Sequence, residues 1–197
     1  MNIPLINKHN PLPKSYEPVL TEVAHGCYLE ENAAKAMQKL LCAAKADGIH
    51  LKIFSAYRSP AYQHALIEKD VARYIAAGMC ENEARRKSAQ SIAIPYESEH
   101  NAGLAADISC MDWRGEITAD FDKTPEFAWL NANAHHFGFI LRYPKDAEHI
   151  TEITYEPWHY RYVGTPHSNY IKRTGITLEE YLCKRKYPNK RKRPQAR

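Results

Sequence analysis

The sequence predicts an α+β fold, with one domain over residues 1–183 and a basic tail over 184–197. The domain is expected to be a small, largely antiparallel sheet flanked by helices. Three observations carry this. Ser59-Pro60, Thr124-Pro125 and Thr177-Leu178-Glu179-Glu180 are helix-start signals. The apolar strand-like runs are short and do not alternate regularly with those helices, as a parallel sheet would require. No internal repeat and no linker divides the chain.

Taken in order, residues 1–28 are rich in Pro, Asn and Tyr, and are expected to wrap the domain as irregular chain. Ala33, Ala34, Met37, Leu40, Leu41 and Ala44 recur at helical spacing, so a helix spans 30–46 and stops at Asp47-Gly48. Residues 51–57 alternate as a strand and deliver Arg58 at its end. Ser59 caps a second helix that runs to about Ala77, and a short polar helix covers roughly 81–90. Pro95 breaks the chain, and residues 104–109 read as a buried strand carrying Asp107. A helix from Pro125 runs to about His136 before Gly138. Residues 139–143, 152–154 and 158–163 read as strands. In the last of these Trp158, Tyr160 and Tyr162 share one face, and His159 and Arg161 the other. The capping box at Thr177 opens the final helix.

Apolar residues make up 44% and charged residues 25% of 197, the balance of a globular protein with a sizeable core. No apolar run approaches the roughly 20 residues that cross a bilayer. The first residues show no basic segment followed by an apolar core, so no export signal and a cytoplasmic location are expected. Five scattered cysteines without a C-x-x-C pair suit a reducing compartment and thiols that mostly serve packing. The net charge is +4, yet the tail alone carries eight positive charges; subtracting them leaves −4 on the body. The plain reading of the tail is a solvated end. A sharper one is attraction to an anionic membrane or polymer. Nucleic acid is not an expected partner, because the body shows no matching basic patch.

Chemistry concentrates in two stretches. Residues 98–107 read S-x-H-x-x-G-x-A-x-D, and residues 156–159 read E-x-W-H. His100, Asp107 and His159 form a candidate catalytic Zn²⁺ set: three protein ligands, with a fourth position left for water. Manganese or iron accept the same donors. Gly103 lies where a bend would let His100 and Asp107 reach one metal. Glu156 is the candidate general base, biased toward extended backbone by Pro157. It could take a proton from water whose pKa zinc lowers to about 7. The competing reading makes it a partner that merely holds His159. Arg58 is the candidate stabiliser of a developing oxyanion, against the reading of a surface ion-pair arginine. His64, His135, His136, His149 and His167 lack such company and read as surface, cap or packing residues.

These motifs, with Ser55-Ala56-Tyr57-Arg58 before them, resemble the zinc-dependent D,D-peptidases of vancomycin resistance: the VanX, VanY and VanXY types. The likeness runs from Leu5-Ile6-Asn7-Lys8 to the segment from Glu156 to His167. Residues 138–144 and 155–164 add a particular likeness to the VanXY type. The resemblance implies the zinc D,D-peptidase (hedgehog/DD-peptidase-like) fold. It also implies zinc on His100, Asp107 and His159, Glu156 as base, Arg58 at the tetrahedral intermediate, and substrate contacts from Gln63, Ser98 and Ser55. Ser55 departs from the pattern, since dipeptide-cleaving relatives carry an acidic residue there.

The leading expectation is therefore a zinc D,D-carboxypeptidase. It would remove the terminal D-Ala of peptidoglycan precursors such as a muramyl pentapeptide ending in D-Ala-D-Ala, with D,D-dipeptidase activity as a possible addition. That reaction would deprive vancomycin-type antibiotics of their target. The alternatives are a murein endopeptidase on the same scaffold and a non-catalytic zinc-binding interaction module. The S-x-x-K and G-x-S-x-G signatures of serine enzymes are absent from the sequence.

Overall fold

A computed structural model describes residues 3–186. The chain begins with a hairpin that sequence reading assigned to irregular chain: β1 (Leu20–Ala24) and β2 (Cys27–Glu30) pair antiparallel. Both strands are short and turn tightly at Gly26, whose amide donates to Glu22 Oε1 at 2.9 Å. Proline and asparagine around them mask the alternation.

Glu30 caps α1 (Glu31–Ala46), accepting from the amides of Asn32 and Ala33. β3 (Leu51–Ser55) follows. Ser59 Oγ caps α2 (Pro60–Ala76) by accepting from Tyr62 N at 3.1 Å, and α3 is Glu81–Ser88. A 3-10 turn over Glu99–Ala102 leads into β4 (Ala105–Cys110). Thr124 caps α4 (Pro125–Asn133), which tightens into 3-10 geometry before β5 (Phe139–Tyr143). The expected strand at 152–154 is not formed. A single turn, α5 (Glu148–Thr151), ends in a left-handed Glu152 at φ 60, whose carboxylate binds Lys8 and His9. β6 (Glu156–Tyr162) then completes the sheet.

α6 (Thr165–Thr174) has no counterpart in the sequence reading, although Pro166 in its first turn and Gly175 after it are start and stop signals. α7 (Leu178–Lys186) has the expected capping box, with Thr177 and Glu180 bonded both ways. It carries Lys184, Arg185 and Lys186, so the first tail charges stand on a helix. The remaining tail charges lie outside the described residues. Among the described residues no helix is long and apolar enough to cross a membrane. The cysteines correct the sequence reading: Cys42, Cys80 and Cys183 are exposed and only Cys27 and Cys110 are partly covered. Cys42, for example, is on the outer face of α1, opposite the buried Met37 and Leu40.

The four-stranded sheet has order β3-β4-β6-β5, antiparallel throughout. Alternation gives it two distinct faces. Ala106, Ile108 and Tyr160 pack with Met37 and Leu40 of α1 in the main core. Asp107, His159 and Arg161 occupy the intervening positions. Two irregularities set what those positions hold. A bulge between Ile53 and Ser55 places Ser55, rather than Phe54, opposite Asp107. In β6 the pairing jumps from Leu141–Tyr160 to Tyr143–Glu156. Pro157, with no amide hydrogen, falls in that interval.

Candidate metal centre and active site

The three candidate ligands come from two strands and one turn. Asp107 and His159 are paired residues of β4 and β6. His100 lies in the 3-10 turn capped by Ser98. Gly103 ends that turn at φ +67 and lies so close to β2 that a Cβ would meet Glu30 N at 2.8 Å. Only glycine fits there, and its carbonyl accepts from that same amide at 2.8 Å.

One ligand atom from each of His100, Asp107 and His159 lies within 4.8 Å of the others, and all three residues are buried. Asp107 Oδ1 is the focus, 3.3 Å from both His100 Nε2 and His159 Nδ1. Two ligands at about 2.0–2.1 Å from a tetrahedral metal stand about 3.3–3.4 Å apart, so this spacing fits zinc. Oδ1 is also buried without a hydrogen-bond partner, which leaves its lone pairs free for a cation. His100 Nδ1 lies 2.6 Å from Ala56 O, which directs Nε2 inward.

Glu156 starts β6, with Oε2 3.5 Å from His159 Nδ1. Burial pushes its carboxyl up to about 8; the Asp107 and Glu99 charges add to this, and His159 and Arg58 oppose it. Burial would also raise Asp107, but His100 and Arg58 hold it well below the usual carboxylate range. His100 is pushed down to about 4 by burial and the Arg58 charge. For His159 burial favours the neutral ring, yet the neighbouring carboxylates of Asp107 and Glu99 outweigh that and raise it to about 9 in the metal-free protein.

Arg58 donates from Nη2 to Asp107 Oδ2 and from Nε to Ser55 Oγ at 2.8 Å. Its backbone is fixed by Asn101 Nδ2, which donates to Arg58 O at 2.7 Å. Gln63, only 1% exposed, donates from Nε2 to Ala93 O at 2.7 Å, so its unpartnered Oε1 is the free acceptor. Ser98 Oγ accepts from His100 N at 3.3 Å and keeps its hydroxyl proton to donate. All eight residues singled out from the sequence line one cavity of about 520 Å³, with Tyr62, Ile153 and Trp158 among its apolar walls.

The chain matches the VanY family, described as D-alanyl-D-alanine carboxypeptidase, over residues 26–165. The chain belongs to the VanY family. It is 36% identical to a D-alanyl-D-alanine carboxypeptidase of Enterococcus faecalis over 90% of its own length and 64% of the relative's, so it spans just under two thirds of that protein. Two solved VanY structures resemble it at 36% identity. One is a variant of the vancomycin resistance D,D-pentapeptidase VanY in complex with Zn(II), with a TM-score of 0.82 over 90% of this chain and 97% of that one. The other is VanYB in complex with D-alanine-D-alanine, at 0.83 over 91% and 96%. The LdcB LD-carboxypeptidase is also similar, at 37% identity and a TM-score of 0.79 over 91% and 85%.

Sequence reading of this VanY-family chain passed over the groups behind the ligands. Glu99, Arg142 and Arg161 are at most 1% exposed; both arginines donate to Glu99, which also meets His159. Arg161 could have been found, because the alternation of β6 already placed it on the face of His159. Glu99 and Arg142 gave no such signal, since charged residues are ordinarily exposed.

Proposed function

We propose that this chain is a zinc-dependent D,D-carboxypeptidase that removes the terminal D-Ala from peptidoglycan precursor peptides ending in D-Ala-D-Ala, the chemistry that lowers the supply of a vancomycin target. The observation that carries the reading is Glu156 Oε2, 3.5 Å from His159 Nδ1 at the edge of a buried three-ligand cluster in an accessible cavity. Binding alone would need neither Glu156 nor Arg58 there. That weighs against a non-catalytic zinc module.

His100 Nε2, Asp107 Oδ1 and His159 Nδ1 would hold the zinc, which when bound supplies a Lewis acid and a lowered pKa for water. Glu156 takes the proton of the attacking water and passes it to the leaving amine. That carboxyl is raised to about 8 in the metal-free protein, and a bound cation beside it would favour the ionised form that accepts the proton. Arg58 is anchored by Nε and Nη2, which leaves Nη1 to face the negative charge developing on the scissile carbonyl oxygen. Gln63 Oε1 accepts an amide N–H of the peptide, and the Ser98 hydroxyl donates to its terminal carboxylate. The substrate we favour is a soluble muramyl pentapeptide, and the cavity has room for a peptide end. The likeness to LdcB supports a second reading, cleavage of an L,D rather than a D,D bond.

Product analysis by mass spectrometry separates these readings. The zinc-loaded protein is given a stem pentapeptide ending in D-Ala-D-Ala, a tetrapeptide with an L,D terminal bond, and intact murein. The reading expects D-Ala from the pentapeptide, lost with chelator and restored by zinc. Release from the tetrapeptide alone would favour the L,D reading, and cross-link cleavage in murein the endopeptidase.

A further inference from the structure

Glu99 stands between Ser98 and His100, and the chemistry assigned above does not use it. Its side chain is fully buried, a costly place for a carboxylate unless it is paired. Arg142 Nε and Arg161 Nη1 both donate to Glu99 Oε1, each at 2.7 Å. The other oxygen, Oε2, is left for His159 Nε2 at 3.4 Å. Arg142 in turn grips Glu179 of α7 at 3.0 and 2.5 Å, and Arg161 Nη2 donates to Pro4 O at 2.8 Å. Two carboxylates thus meet two guanidiniums in a frame that fixes Glu99 from behind.

We propose that Glu99 is a positioning residue: it takes the Nε2–H of His159 and thereby turns Nδ1 of that ring toward Asp107 and the metal. The proposal rests on the metal-centre reading given above. In an imidazole, the hydrogen bond made by one nitrogen decides which nitrogen is free to ligate. His159 Nδ1 is 3.3 Å from Asp107 Oδ1 and 3.5 Å from Glu156 Oε2, on the metal side of the ring. His100 is held the other way round, with Nδ1 on the Ala56 carbonyl and Nε2 toward Asp107. One ligand is thus oriented by a backbone carbonyl and the other by a carboxylate, which also makes its ring the stronger base. If Glu99 served only to neutralise the arginines, nothing would require one of its oxygens to face His159.

The test uses the full zinc-loaded chain. Long-range proton–nitrogen NMR on labelled histidine reads which nitrogen of His159 carries the proton. A proton on Nε2 with Nδ1 on the metal is expected; the reverse would overturn the proposal, with no variant involved. Glu99→Gln and Glu179→Gln are then compared by chelator competition and by the visible spectrum of the cobalt-substituted protein. Glu99→Gln should weaken zinc binding roughly 10–100-fold and shift the cobalt spectrum. Glu179→Gln, which loosens the same frame without touching His159, should lower Tm and leave the spectrum unchanged. Wild-type affinity and spectrum in Glu99→Gln would overturn the proposal, as would the same change in both variants. An unmodified chain that takes up no zinc would overturn both the proposal and the metal-centre reading beneath it.

Discussion

Asp107 and His159 face one another across β4 and β6, and Asp107 Oδ1 lies 3.3 Å from His159 Nδ1. The candidate metal centre is therefore built into the hydrogen-bond ladder of the sheet. A slip of one residue in that register would turn His159 to the core face. His100 is the candidate ligand brought in from outside the sheet, by a turn that Gly103 closes.

Single substitutions of His100, Asp107 or His159 by Ala should lower bound zinc from about one per chain, together with activity. Elemental analysis of the purified variants checks this. Asp107→Ala has a further consequence, since it leaves the Arg58 guanidinium without its carboxylate partner. It should destabilise the fold more than His100→Ala does, as read by Tm.

Gly103→Ala should destabilise by more than about 1–2 kcal/mol. A left-handed residue with a Cβ costs roughly that much by itself. The new carbon would also meet the Glu30 amide at 2.8 Å. Denaturant unfolding of the two chains measures the difference, and zinc affinity should fall with it as His100 shifts.

Glu156 gives a pH signature in the chelator-treated protein. Its carboxyl is raised to about 8 in the folded chain, chiefly by burial, against about 4.3 unfolded. A raised pKa means the folded state binds that proton more tightly. The associated stability is complete below the unfolded value and is lost as pH rises through about 8. Glu156→Gln never ionises and escapes that loss. Its Tm should match the parent near about pH 4 and exceed it increasingly up to about pH 8.

The pentapeptide should exceed free D-Ala-D-Ala in kcat/KM by roughly ten- to hundredfold. Burying the dipeptide's ammonium requires a charged partner. A hydrogen bond to a charged group is worth about 1.5–3 kcal/mol. Ser55 carries no charge, and its hydroxyl already accepts from Arg58 Nε. Steady-state kinetics on both substrates decides the matter. Equal values would mark a bifunctional dipeptidase and carboxypeptidase.

Much of the fold was legible because local signals agreed with it. β5 falls on residues 139–143 as its apolar run predicts, and the Ser59, Thr124 and Thr177 caps all form. The candidate site was legible because five of its eight residues lie in two motifs, which converge with Ser55, Arg58 and Gln63 on one cavity. What escaped depends on tertiary pairing. The β1–β2 hairpin is too short to show a period, and α6 buries only Ser168 and Ile171, too few positions to mark a helix. Glu152 read as strand, yet the run ends in a turn pinned by Lys8 and His9 from the far end of the chain. Glu99, Arg142 and Arg161 look like surface charges one at a time. Their burial follows from neutralising one another, which spacing along the chain does not reveal.

The central claim is that Glu156 moves the proton beside a three-ligand zinc centre. The most direct measurement combines zinc content with kcat on the stem pentapeptide for Glu156→Ala. The account predicts about one zinc per chain, as in the unmodified protein, and kcat lower by at least roughly 10²–10⁴, the contribution of general acid–base catalysis. Near-unmodified kcat with zinc still bound would contradict it, and would leave Glu156 as no more than a partner that holds His159.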